Sequence, residues 1–165
     1  MKFTDTLIKG KLIKRYKRFF VDIKVNNSKI TAHCPNTGSM MGLLEPGNTV
    51  FVSKNDNPKR KLKFTLEMIN SNSRMIGVNT HRANKIVFDG LNKNLIKEIK
   101  NIKNLKPEFK YSDDTRFDFL GDKNLLEVKN VTLLRNKEFA EFPDAITTRG
   151  SKHLIKLEKK KKKGY

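Results

Sequence analysis

The stretch DFLGDKNLLEVK, residues 118–129, decides how the second half of this chain is read. Two apolar runs flank Gly121-Asp122-Lys123-Asn124, a sequence suited to a tight turn. With the turn centred on Asp122-Lys123, Leu120 faces Leu125 and Asp118 lies opposite Glu127. Alternation along the strand then puts Lys129 on the same face as Glu127. Directly opposed residues have Cβ atoms about 5 Å apart, where two carboxylates repel unless a positive charge intervenes. Lys129 is one such charge, and a divalent cation is another. Two carboxylates with open positions suit Mg²⁺ or Mn²⁺ bound through oxygen. A metal there would activate water and stabilise a phosphodiester undergoing hydrolysis. The competing reading is a surface hairpin with a cross-strand Glu–Lys cluster. Charged residues are 32% of the chain, so the pattern alone is loose. A one-residue slip in register would also separate the carboxylates. Leu125, Leu126, Val128 and Val131 read as a central strand covered on both faces.

Composition points the same way on a coarser scale. The chain has 165 residues, enough for one ordinary domain or two small ones. Lys and Arg number 36 against 17 Asp and Glu, a formal net charge of +19. Such an imbalance calls for a polyanionic partner, nucleic acid or an anionic membrane surface. Enrichment in Lys and Asn is also what A+T-rich coding sequence produces, and part of the charge sits in the run Lys159 to Lys163. The single cysteine, Cys34, excludes an internal disulfide, and His33, His81 and His153 are scattered. No secretory h-region and no membrane-length apolar run is present, so a cytoplasmic protein with no membrane partner is expected.

The first 80 residues read as β. Phe19, Val21, Ile23 and Val25 alternate, Asn26-Asn27-Ser28 makes a turn, and KITAHC follows. EPGNTVFVS supplies a turn and a strand. Leu62, Phe64, Leu66 and Met68 alternate before a turn at NSNS. Short strands this closely spaced suggest a small barrel of the OB type. From Thr80, a plausible N-cap, apolar residues at Ala83, Ile86, Val87, Leu91, Leu95, Ile96 and Ile99 have helical spacing, with a candidate interruption at Gly90. EFKY, RFDFL and LLEVKNVTLL then read as three strands. DAITTRGSKHLIKLEKKKKK has Ile146, Leu154 and Leu157 and reads as a helix frayed into lysines. The fold class is mixed α+β: an OB-like barrel over 1–80, then an α-β-β-β-α domain over 81–165.

Candidate nucleic-acid contacts cluster in four places. Lys14, Arg15, Lys17 and Arg18 alternate with Tyr16 and Phe19, the mixture of phosphate contacts and stacking rings that an OB-type binder needs. Lys59, Arg60 and Lys61 lie beside a strand. Asn36 and Thr37 sit in the turn-rich HCPNTGSMMG, where a phosphate-binding and a purely structural role compete. Arg149 and Lys152 follow Pro143 and Asp144 at the last helix. Next to them His153 is a candidate general acid, against a role in helix packing.

Five segments carry a resemblance to a known family. EVKNVTL (127–133), FPDAITTRGSKHL (142–154), HCPNTGSM (33–40), DNPKRKL (56–62) and GVNTHRAN (77–84) resemble the sugar fermentation stimulation protein A family, SfsA. They occur in order and span nearly the whole chain. The resemblance implies a DNA-binding protein, linked to the regulation of sugar metabolism. It also implies an OB-like barrel followed by a domain like the PD-(D/E)XK nucleases, whose motif residues map onto Asp118, Glu127 and Lys129. Nuclease activity is a fold-level analogy and leaves the enzyme question open. The family usually has a Ser before the Arg of TRFDFLG and another apolar residue at Gly121. It also continues beyond KKKKKGY, so the nuclease-like sheet is expected to be incomplete here, with an edge or apolar face exposed. Three readings stand: a DNA binder acting through phosphates, a Mg²⁺-dependent endonuclease, and a basic barrel that binds RNA.

Overall fold

The computed structural model describes residues 2–3, 6–113, 115–133, 135, 139–143 and 147–162. Two compact units emerge, and they are not consecutive stretches of sequence. One holds residues 1–81 and 130–145; the other holds residues 82–129 and 146–165.

The first unit is a closed barrel. Its strands are β1 (Ile8–Tyr16), β2 (Phe20–Val25), β3 (Ser28–His33), β4 (Thr49–Lys54), β5 (Phe64–Ser71) and β6 (Arg74–Gly77). They pair in the order β3-β2-β1-β4-β5-β6. Parallel pairing of Ala32 with Phe64 and of His33 with Thr65 joins β3 to β5 and closes five strands into the barrel, removing two open edges. Inside lie Leu12, Val21, Ile23, Val50, Val52, Leu66 and Ile69, all but sealed from solvent. The alternation in β2 holds for Val21 and Ile23 but fails at Phe19, which is 46% exposed. The reason is local. The basic stretch KLIKRYKRFFVDIKV is two strands, and Phe19 belongs to their connection, where Lys17 and Arg18 take φ of 48° and 62°.

The alternation in β5 breaks for a different reason. Phe51 pairs with Met68 while Val52 pairs with Leu66, so Glu67 is an extra residue on β5, a β-bulge. The bulge turns Glu67 inward, where it is 2% exposed. Its carboxylate accepts from Ser53 Oγ (2.7 Å) and Asn79 Nδ2 (2.8 Å), and its carbonyl accepts the Val78 N–H at 2.9 Å. This buried acid ties the barrel wall to the segment leaving it. Residues 130–145 return to this unit: Asn130 Nδ2 donates to the Gly77 carbonyl (3.3 Å), and Leu133 bridges Glu141.

The second unit has the order α-β-β-β-α read from the sequence. Its elements are α1 (His81–Asn92), β7 (Lys106–Ser112), β8 (Thr115–Gly121), β9 (Asn124–Leu126) and α2 (Thr148–Lys161). The helical spacing through Ile99 overshoots. α1 stops because Leu95 N–H donates to the Gly90 carbonyl and Asn94 N–H to Leu91, with Asn94 at φ 52°. That is a Schellman ending, built on an Asn that tolerates the left-handed conformation. Gly90 lies inside the helix. Thr80 precedes it, its hydroxyl donating to the Pro35 carbonyl at 3.1 Å.

The three strands form an antiparallel sheet in the order β7-β8-β9, with β8 central and Pro107 on the edge strand β7. Phe117 and Phe119 are fully buried; Phe119 stacks on Phe88 of α1 and Phe117 meets the ring of His153 on α2. LLEVKNVTLL is therefore not a long central strand: β9 ends at Leu126, and Val131 is 40% exposed. Of the apolar residues read in the last helix, Leu154 is 66% exposed and Leu157 half-buried, and Ile146 lies outside the described residues; among the described residues of α2, the buried one is His153. Thr147 caps the helix by accepting the Gly150 N–H, and helical structure continues through Lys161. Among the described residues no helix is long and apolar enough to cross a membrane.

Asp22 is the second buried acid of the barrel. It accepts from Thr31 Oγ1 (2.8 Å) and Tyr16 Oη (3.3 Å), with Lys29 Nζ 3.6 Å away. Burial alone would raise its pKa. Thr31, Lys29, Tyr16 and Lys14 together outweigh that and hold it below the ordinary 3.8. A lowered folded pKa adds stability above the unfolded value, which is lost as pH falls through the folded one. Replacing Asp22 with Ala is expected to cost about 1–3 kcal/mol at pH 7. In urea unfolding, that deficit should shrink below about pH 3.8. A deficit that persists undiminished at pH 2 would show that the carboxylate charge is not the cause.

Candidate functional site

The hairpin register expected from the turn is present. Gly121 pairs with Asn124, Leu120 with Leu125 and Phe119 with Leu126, and Asp122 takes the left-handed φ of 48° that the turn needs. The next pair would be Asp118 with Glu127, but the ladder ends one step earlier. In place of a backbone pair, the Asp118 carboxylate Oδ2 accepts the Val128 N–H at 2.7 Å. Its Oδ1 accepts from Asn84 Nδ2 of α1 at 2.8 Å. Asp118 thus holds the residue lying between Glu127 and Lys129.

Glu127 is held from the other side. Lys129 Nζ donates to its Oε1, and His153 Nδ1 lies 2.7 Å from the same oxygen. An ionised carboxylate only accepts, so the ring donates from Nδ1. The other oxygen, Glu127 Oε2, is buried with no hydrogen-bond partner among the described residues. The side chains of Glu127 and His153 are 11% and 10% exposed, and that of Lys129 is 37%. A buried carboxylate oxygen without a donor is costly, and such atoms in native proteins call for an explanation. Among the described residues no group of three or more His, Cys, Asp or Glu is gathered to hold a metal ion. Of the hairpin's carboxylates, Asp122 accepts from Lys103 N–H and Asn104 Nδ2 at the turn, which leaves Asp118 and Glu127 at the other end.

Asn84 and His153 complete the site, and the motif pattern did not include them. Asn84 lies in GVNTHRAN, a segment that carries the family resemblance, which was the one signal pointing to it; His153, in FPDAITTRGSKHL, had been read as a candidate general acid and stands here against Glu127 Oε1. Lys152 is exposed beside His153, and the side chain of Arg149 lies outside the described residues.

The other candidates sit in the barrel unit. Lys14 places its Nζ 5.5 Å above the ring of Tyr16, which stacks on Phe20 at 5.5 Å. Lys17 and Arg18 stand exposed at the tip of the same hairpin. Arg15 is committed elsewhere: it donates to the carbonyls of Arg18 (3.1 Å), Asn36 (2.9 Å) and Ser39 (3.3 Å). Asn36 is buried and accepts the Gly38 N–H at 2.8 Å, while Thr37 is exposed. Lys59 and Lys61 are exposed, and Arg60 donates to Thr65 Oγ1 at 3.0 Å. Cys34 is buried in the barrel core, which pushes its thiol pKa up.

Comparison with known proteins covers both units. Residues 13–78 match the family described as the SfsA N-terminal OB domain, and residues 81–165 match the sugar fermentation stimulation protein RE domain. A sugar fermentation stimulation protein homolog of Pelagibacter ubique is 62% identical over all of this chain and 73% of its own length. One of Alteromonas mediterranea is 46% identical, covering 95% of this chain and 71% of the relative. Among solved structures, Pyrococcus furiosus SfsA in complex with Ca²⁺ has the same fold. It superimposes with a TM-score of 0.83 at 23% identity, over 96% of this chain and 68% of that one.

The shared contact between Glu127 and His153 is open to measurement. Glu127→Ala and His153→Phe should each destabilise the protein by about 1–3 kcal/mol. The double variant should lose less than the sum, with a coupling energy of about 0.5–3 kcal/mol in urea unfolding. Strictly additive losses would mean that the two side chains do not support one another.

Proposed function

The chain belongs to the sugar fermentation stimulation protein family, and from that footing we propose that it binds DNA through backbone phosphates with little sequence preference. The β1–β2 hairpin carries this reading. There a stacked aromatic pair, Tyr16 and Phe20, is topped by the Lys14 ammonium and flanked by exposed Lys17, Arg18 and Phe19. Rings offer a stacking surface that any base can use, and cations placed around them track the backbone. A net charge of +19 adds long-range attraction that is independent of sequence. The relatives' name ties the family to sugar fermentation. The corresponding role here is action in the cytoplasm at DNA that governs sugar use.

The hairpin reading is tested by Lys17→Asn with Arg18→Gly, residues that accept the left-handed turn while removing two charges. Fluorescence anisotropy on duplex DNA should show affinity lowered several-fold. The slope of log K against log salt should become shallower by about 0.9 for each phosphate left unneutralised. An unchanged slope would remove the hairpin from the interface. Preference for RNA over DNA in competition would move the reading to the RNA-binding alternative.

A second reading, metal-dependent hydrolysis of phosphodiesters, is favoured by one observation: the buried Glu127 Oε2, which has no hydrogen-bond partner among the described residues. A hard divalent cation is a fitting partner for that oxygen, and Asp118 is the neighbouring carboxylate. These two residues would hold Mg²⁺ or Mn²⁺, which when bound supplies Lewis-acid activation of water and phosphate. Lys129 and His153 fix the orientation of Glu127, and the Lys129 ammonium offsets its charge. The solved Pyrococcus furiosus relative is a complex with Ca²⁺. Mg²⁺, Mn²⁺ or Ca²⁺ should therefore raise the melting temperature of the wild type and leave that of Glu127→Gln unmoved. Mn²⁺ should support plasmid nicking that Asp118→Ala abolishes. Equal metal shifts in wild type and Glu127→Gln would place any metal elsewhere.

A further inference from the structure

The second unit contains a cleft of about 490 Å³, within the size range of small-ligand sites. Among the described residues four cations line it: Lys110 and Arg116 from the sheet, Lys152 and Lys156 from α2. Ser112, Thr115 and Thr148 add hydroxyls, and His153 forms part of the wall. Lys156 Nζ donates to Thr115 Oγ1, so helix and sheet are tied together across the cleft. The one described acid is Asp113, paired with Lys110 at 2.8 Å. Cations and hydroxyls converging on a concave surface are what a phosphate group requires.

The lysines continue beyond the cleft. Lys152, Lys156 and Lys160 are spaced i, i+4, i+8, one above another on α2 in steps of about 6 Å. That step is comparable to the spacing of successive phosphates along one extended strand. Lys160 Nζ lies 4.4 Å over the ring of Tyr111, which is 37% exposed and shares a second hollow with Lys156 and Lys159. A ring beside a line of cations provides a base with a face to stack on.

We propose that the cleft and the α2 lysine row bind successive phosphates of one single strand of nucleic acid, with Tyr111 as a stacking surface. This rests on the DNA-binding reading and adds a phosphate track in the second unit, apart from the barrel hairpin. The alternative macromolecule for a basic helix with Leu154 and Ile155 exposed is an anionic membrane surface. The hydroxyl-lined concavity and the ring favour the strand.

Lysine acylation footprinting of the full chain, read by mass spectrometry, tests this without relying on a variant. The probes are a 5′-phosphorylated single-stranded oligonucleotide, the same strand with a 5′-hydroxyl, and anionic phospholipid vesicles. Lys17 and Lys59 report on the barrel. Single-stranded probes should protect Lys110, Lys152 and Lys156 several-fold. Equal protection by both strands assigns the cleft to an internal phosphodiester, and stronger protection by the phosphorylated one assigns it to a strand end. Arg116→Ala with Lys152→Ala should also weaken single-strand binding about tenfold at low salt. The salt slope should fall by about 0.7 for each phosphate that is no longer neutralised. Protection of barrel lysines alone would overturn this proposal and leave the DNA-binding reading standing. No protection by either strand would overturn this proposal, and absence of binding in the duplex anisotropy experiment as well would overturn the DNA-binding reading with it. Protection of the cleft lysines by vesicles and not by strands would replace it with a membrane-surface role.

Discussion

The bond from the Val128 N–H to the Asp118 carboxylate is the contact on which the candidate site depends. The β8–β9 ladder ends at Phe119 and Leu126, so it supplies no backbone partner for Val128. Asp118 substitutes a side-chain acceptor for the missing strand. A charged acceptor makes this bond stronger than the neutral one it replaces. Fixing Val128 fixes its two neighbours, and Glu127 can then meet Lys129 and His153 together. Asn84 holds the remaining oxygen of Asp118, so α1, β8 and the segment after β9 meet at one carboxylate.

The barrel uses acids in a related way. Glu67 and Asp22 are almost fully buried in a chain dominated by Lys and Arg. Burying a charge is expensive unless hydrogen bonds and opposite charge compensate. Here the compensation is visible. Glu67 takes Ser53 and Asn79, while Asp22 takes Thr31 and Tyr16 with Lys29 nearby. For Asp22 the hydrogen bonds from Thr31 and Tyr16 and the charges of Lys29 and Lys14 outweigh burial and favour the anion. The lysines stay outside, where phosphates can reach them.

Much of this was legible. The turn at Gly121–Asn124 gave the hairpin register correctly because a tight turn leaves few pairings open. Closely spaced strands gave the barrel. Four details were not legible, each for a separate physical reason. Phe19 left the buried set because Lys17 and Arg18 form the turn there. Glu67 turned inward because a bulge, set by strand pairing across the sheet, shifted the alternation. α1 stopped at a Schellman ending on Asn94, although the apolar spacing continued. β9 stopped at Leu126 although β-branched and leucine residues continued beyond it.

The sequence by itself determined the class of the two units, the hairpin that holds Asp118, and the basic character of the surface. Those follow from residue spacing, turn chemistry and charge, which act locally. Tertiary structure alone decided which groups meet the carboxylates. His153 reaches Glu127 from α2, 26 positions along the chain, and Asn84 reaches Asp118 from α1, 34 positions away. Contacts at such separations depend on how helices pack on the sheet, through Phe88 on Phe119 and His153 on Phe117. No local pattern encodes that packing, and so none could show that one oxygen of Glu127 is buried with no partner among the described residues.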